Sequence, residues 1–77
     1  MTKAALSKLP TAQSSYCETL SHLISKFKEN GNELERERRS GELRGYLECL
    51  SDMGVITKAD VQKLYLWYSS ENRYKES

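Results

Sequence analysis

Few groups in this chain could take part in acid–base, nucleophilic or metal chemistry, and their spacing does not gather them. His22 is the single histidine, and Cys17 and Cys49 are the two thiols. His22 lies four residues after Glu18 and four before Lys26, where an imidazole joins a solvated i,i+4 network. A histidine acting as general base needs a nucleophile and an orienting acid within reach, and no serine–acid or cysteine–acid arrangement is implied beside it. Two cysteines and one histidine cannot complete a four-ligand zinc shell without a carboxylate at a spacing that the sequence does not supply. Glu33, Glu35, Glu37 and Glu42 alternate with arginines, as on a solvated helix face, and none stands alone in apolar surroundings that would raise its proton affinity. The expectation is a protein that is not an enzyme, with no metal, no cofactor and no small-molecule substrate.

The arginines offer a different chemistry. Arg36, Arg38, Arg39 and Arg44 fall within nine positions, and the guanidinium fork suits phosphates and carboxylates alike. Six carboxylates share that stretch with the four arginines, so residues 31 to 53 sum to −2, a balance that repels a duplex as readily as it grips one. The following segment adds only Lys58 and Lys63 beside its aromatics, with no polar run to read base edges. A nucleic-acid-associated regulator working through these arginines is therefore the second reading, behind recognition of protein.

Composition narrows the classes further. At 77 residues the chain is a single domain, near the size at which one core leaves a net stability of roughly 3 to 5 kcal/mol. A net charge of +1 gives no general attraction to nucleic acid or anionic lipid. Apolar runs are short and no hydrophobic segment follows the early lysine, so neither a membrane span nor a signal peptide is expected, and the reading is cytoplasmic. Two cysteines far apart in such a compartment read as buried thiols rather than a bridge.

The elements that must position these residues are helical. Residues 1 to 10 are weakly patterned and read as a flexible arm, although Leu6 and Leu9 could dock; Pro10 disfavours helix at Leu9. Residues 11 to 72 form the domain, and the polar end, 73 to 77, reads as a frayed tail. Tyr16, Leu20, Leu23, Ile24 and Phe27 make a stripe at helical spacing, predicting a helix over 12–29 capped by Thr11 or by a Ser15–Glu18 box and stopped at Asn30-Gly31. Asn32 through Glu35 repeats the capping chemistry for a second helix over 33–53, whose apolar face is Leu43, Tyr46, Leu47, Leu50 and Met53. If that helix is continuous through Ser40-Gly41, Leu34, Gly41 and Gly45 lie on its reverse face, about 180° from the core residues at 100° per residue.

Gly54 then stops the second helix, Val55 and Ile56 cover the joint, and Thr57 with Asp60 caps a third helix over 58–72, with Ile56 and Val61 placed as a staple. Val61, Leu64, Tyr65 and Tyr68 share its inner face, Trp67 sits at the edge and Leu66 points away. The order leucine-rich helix, Gly54, Ile56-Thr57, Asp60 and apolar-aromatic helix, over residues 47 to 68, resembles the hairpin of short C-terminal oligomerisation (SHOCT-like) modules. It is also similar to uncharacterised small helical proteins carried by phages and mobile elements of Gram-positive bacteria. The chain departs from such modules at Lys58-Ala59-Asp60, where they start more acidic, and at Tyr65 to Tyr68, where they end lysine-rich. The resemblance implies self-association or protein binding. Together these readings predict an all-α antiparallel three-helix bundle with a protein partner or a homodimer as its target, and Leu34, Gly41, Gly45, Leu66 and Trp67 as its contact residues.

Overall fold

The computed structural model describes residues 2–70. Four helices follow one another: α1 (Thr2–Ser7), α2 (Thr11–Glu29), α3 (Glu33–Asp52) and α4 (Lys58–Ser69), with no strand among the described residues. Helices α2, α3 and α4 run up, down and up as an antiparallel bundle, and α1 lies chiefly against α4. The fold is all-α, as the periodicity predicts, with one helix more than expected.

Two glycine turns set the topology. Past α2 the Gly31 N–H donates to the Lys28 carbonyl at 3.1 Å and the Asn32 N–H to the Phe27 carbonyl at 2.9 Å. This paired pattern closes a helix end and requires the left-handed backbone that Gly31 adopts at φ 72°. Asn32 then serves the next element, its side chain accepting the Glu35 N–H at 3.3 Å. The same pattern recurs past α3, where Gly54 at φ 81° donates to Ser51 and Val55 donates to Leu50, each at 3.0 Å. Thr57 and Asp60 complete a reciprocal capping box at the start of α4, and Ile56 and Val61 are both buried beside it. With such short joints, antiparallel neighbours are the only solution.

The core comprises Ala5, Leu9, Cys17, Leu20, Ile24, Leu43, Leu47, Leu50, Ile56, Val61, Leu64 and Tyr68. Its details correct several expectations. The first ten residues are not an arm: α1 buries Ala5, and Leu9 is buried just beyond it, with Leu6 half-buried. Neither Thr11 nor the Ser15–Glu18 box caps α2, because the helix begins at Thr11 itself with Pro10 in the cap position and no side-chain bond there. The inner face of α2 runs through Cys17, Leu20, Ser21 and Ile24, which turns Tyr16 outward to 43% exposure. Tyr16 packs instead against Tyr46, ring centres 4.6 Å apart. Met53, expected in the core, is 70% exposed at the end of α3. Helix α3 passes unbroken through Gly41 and Gly45. The last helix ends at Ser69 rather than 72, and the tail at 73–77 lies outside the described residues.

One ion pair ties the extra helix down. Lys8 Nζ donates to Asp60 Oδ2 at 2.7 Å, and the same oxygen accepts the Thr57 N–H at 3.0 Å. The Lys8 ammonium and the Thr57 amide together hold the Asp60 carboxyl down at about 2, against an ordinary value of 3.8. Because the folded value is the lower one, the stabilisation is complete above pH 4 to 5 and is lost as pH falls through about 2. Asp60→Asn should therefore lower stability at pH 7 by about 1 kcal/mol, the half-exposed lysine limiting the effect. Thermal melts of the two proteins should converge near pH 2. A gap that persists there would mean that the carboxylate charge is not what holds α1.

Candidate interaction surface

Helix α3 has about 30 Å of length against about 18 Å for α4 at 1.5 Å per residue. Ser21, midway along α2, bonds to Tyr68 near the end of α4. The charged first half of α3 and the second half of α2 therefore project past α4 as a two-helix hairpin, and the four arginines must be judged on that geometry. Arg36 pairs with Glu33 at 2.6 Å, Arg38 with Glu35 at 3.3 Å, Arg39 with Glu42 at 2.8 Å and Arg44 with Glu48 at 3.4 Å. The Arg36 guanidinium holds the Glu33 carboxyl below the usual carboxylate range. Arg36 and Arg38 point about 160° apart on the helix. No single stripe of free guanidinium groups results; a phosphate backbone would have to displace a carboxylate at each position.

The other chemistry-bearing residues stay apart as well. His22 is exposed; of the two thiols expected to be buried, Cys17 is fully buried but Cys49, about 100° from the Leu50 side of α3, is exposed. Burial pushes the Cys17 thiol up to about 11, so it stays protonated and unreactive at neutral pH. Among the described residues no three histidine, cysteine or acidic groups cluster as a metal site.

Three of the predicted contact residues, Gly41, Gly45 and Leu66, lie on the exposed outer sides of α3 and α4. Arg44 lies over the Tyr65 ring, 5.3 Å from its centre, bridging the seam between the helices. Arg44 and Tyr65 thus join the two helices on one flank, while Gly45 and Leu66, each about 100° further round its own helix, face away from the core. Leu66 is 55% exposed, and a Cβ added at Gly41 or Gly45 would meet nothing within 4 Å. Toward the turn the seam opens into a groove of about 410 Å³ lined by Arg44, Glu48, Ser51, Asp52, Lys58, Val61 and Gln62. Its walls carry two cations and two carboxylates, an arrangement suited to polar contacts.

The structure separates the other two expected residues from this patch. Leu34 is 64% exposed, but it lies about 16 Å along α3 from Gly45, on the part of the helix that projects past α4. Trp67 is half-buried and packs against the core cluster. Sequence reasoning missed the Arg44–Tyr65 contact and the Lys8–Asp60 pair, both of which join elements distant in sequence. It also missed Ser21, whose place between Cys17 and Ile24 on the inner stripe of α2 was the available signal.

Comparison with family models, with curated proteins and with solved structures finds no match to this chain. Among the described residues no helix is long and apolar enough to cross a membrane.

Proposed function

We propose that this protein is a small non-enzymatic recognition module that self-associates through the outer face of its α3–α4 hairpin. The observation carrying this reading is Leu66, a large apolar side chain 55% exposed on α4, together with two exposed mid-helix glycines on the neighbouring α3 that the monomer does not need. Each glycine costs about 1 kcal/mol of helix propensity relative to alanine. A second backbone approaching this face would use the space they leave and cover Leu66. Burying a few hundred Å² of apolar surface at about 25 cal/mol per Å² supplies several kcal/mol before association costs. The SHOCT-like resemblance of the hairpin points to the same role, and a homodimer is the simplest occupant because it requires no further component.

The test is sedimentation equilibrium over a wide concentration range, paired with melting curves. Leu66→Glu should weaken assembly at least tenfold, the equivalent of about 1.4 kcal/mol. Gly45→Ala should raise the stability of the dilute monomer by about 1 kcal/mol and still weaken assembly. A parent protein that stays monomeric at high concentration, or a Gly45→Ala variant that gains stability and assembles as well as the parent, sinks the proposal. Under this reading a mixed DNA or RNA pool shows no binding in about 0.1 M salt. Micromolar binding that Arg38→Ala and Arg39→Ala abolish would put the nucleic-acid reading first.

A further inference from the structure

We infer that α1 is an exchangeable arm, able to leave its own α4 and dock on the α4 of a second copy. The occupant of that docking site is already identified, because the site is filled by this same segment within one chain. Helix α1 packs chiefly against α4, some fifty residues away in sequence, rather than along α2, the helix it is joined to. Its hold consists of Ala5 and Leu9 in the core, half-buried Leu6 and the Lys8–Asp60 pair. None of these contacts depends on which chain supplies the arm; only the joint at Pro10, between the docked residues and α2, does. Pro10 keeps that joint from becoming helix, since it is extended at φ −60° and ψ 156° and disfavours helix at Leu9. A short joint beside a docked element is the arrangement from which exchange between identical chains arises at low cost. The tether gives the arm a high local concentration at its own site, so exchange becomes appreciable on refolding at about millimolar protein. This contact is independent of the Leu66 face, and it can succeed or fail whatever that face does.

The Lys8–Asp60 pair makes the exchange addressable by charge reversal. In Lys8→Asp alone, or Asp60→Lys alone, each chain closed on itself sets like charges against each other. When the two variants exchange arms with one another, both contacts become opposite-charge pairs. The experiment refolds the variants together, all in the Leu66→Glu background so that the hairpin face does not contribute dimers, with one isotopically labelled, and reads species by native mass spectrometry. The expected result is a heterodimer in about tenfold excess over either homodimer, absent when the doubly reversed chain is refolded with the parent. Monomers alone, or dimers in statistical proportion regardless of charge, overturn the inference. Should Asp60→Lys fail to fold for want of its capping box, labelled and unlabelled parent chains refolded together provide the second reading. Isotope-filtered nuclear Overhauser contacts between Ala5 or Leu9 of one chain and Val61 or Leu64 of the other support exchange. Finding those contacts only within a chain overturns it.

Discussion

Leu64→Ala should unfold this protein at room temperature, whereas Leu66→Ala, two residues further along the same helix, should leave its melting curve almost unchanged. Leu64 is fully buried and Leu66 is 55% exposed, so the two substitutions remove the same atoms from opposite environments. Emptying a buried leucine site costs about 2 to 5 kcal/mol, a transfer term plus a cavity term. A chain of this size has roughly 3 to 5 kcal/mol of net stability to lose. The exposed site should shift stability by less than about 0.5 kcal/mol. Helical dichroism under urea checks both, and the comparison belongs at low protein concentration because self-association would add to apparent stability by mass action. If Leu66→Ala melted as early as Leu64→Ala, Leu66 would be part of the core and the proposed interaction face would be gone.

That contrast was legible in the sequence because it rests only on helical periodicity. The outward placement of Leu34 and Leu66, the two glycine turns and the Thr57–Asp60 box follow the same way, each depending on residues a few positions apart. Where the reading slipped, the deciding residue had no apolar signature or its partner was distant. The stripe of α2 was read one position off because Cys17 and Ser21, which fill its centre, are small and do not register in a pattern of large side chains. On α3 the Glu35–Arg39 pair forms as its i,i+4 spacing allows, at 3.8 Å, although Arg39 lies closer still to Glu42, at 2.8 Å. Helix α1 was missed for a cooperative reason. A six-residue helix has too few hydrogen bonds to offset its nucleation, so it exists through docking on α4, and no local pattern announces that. For the interaction face, the sequence supplied Leu66 and the glycines, but the Arg44–Tyr65 contact that joins their two helices is tertiary.

Ser21 carries the second large expectation and shows what the small residues of α2 contribute. Its hydroxyl donates to the Tyr68 carbonyl at 2.5 Å, in the buried interior where α2 meets the last turn of α4. Carbonyls in a final helical turn have no partner within the helix, and at this depth water does not substitute. Alanine at position 21 would remove that buried donor, a loss of about 1 to 3 kcal/mol. Ser69→Ala is the matched control. The Ser69 hydroxyl also bonds a carbonyl of α4, that of Tyr65 at 2.6 Å, but this carbonyl stands one turn back, where the helix supplies its own donor. Its removal should move stability by less than about 0.5 kcal/mol. Urea midpoints distinguish the two, and amide exchange should rise in the last turn of α4 only in Ser21→Ala. Leu66 sits in that turn, so loosening it should also weaken self-association even though Ser21 faces the core. A Ser21→Ala protein as stable as its parent would mean that the Tyr68 carbonyl has another donor and that α2 does not set the position of the α4 end.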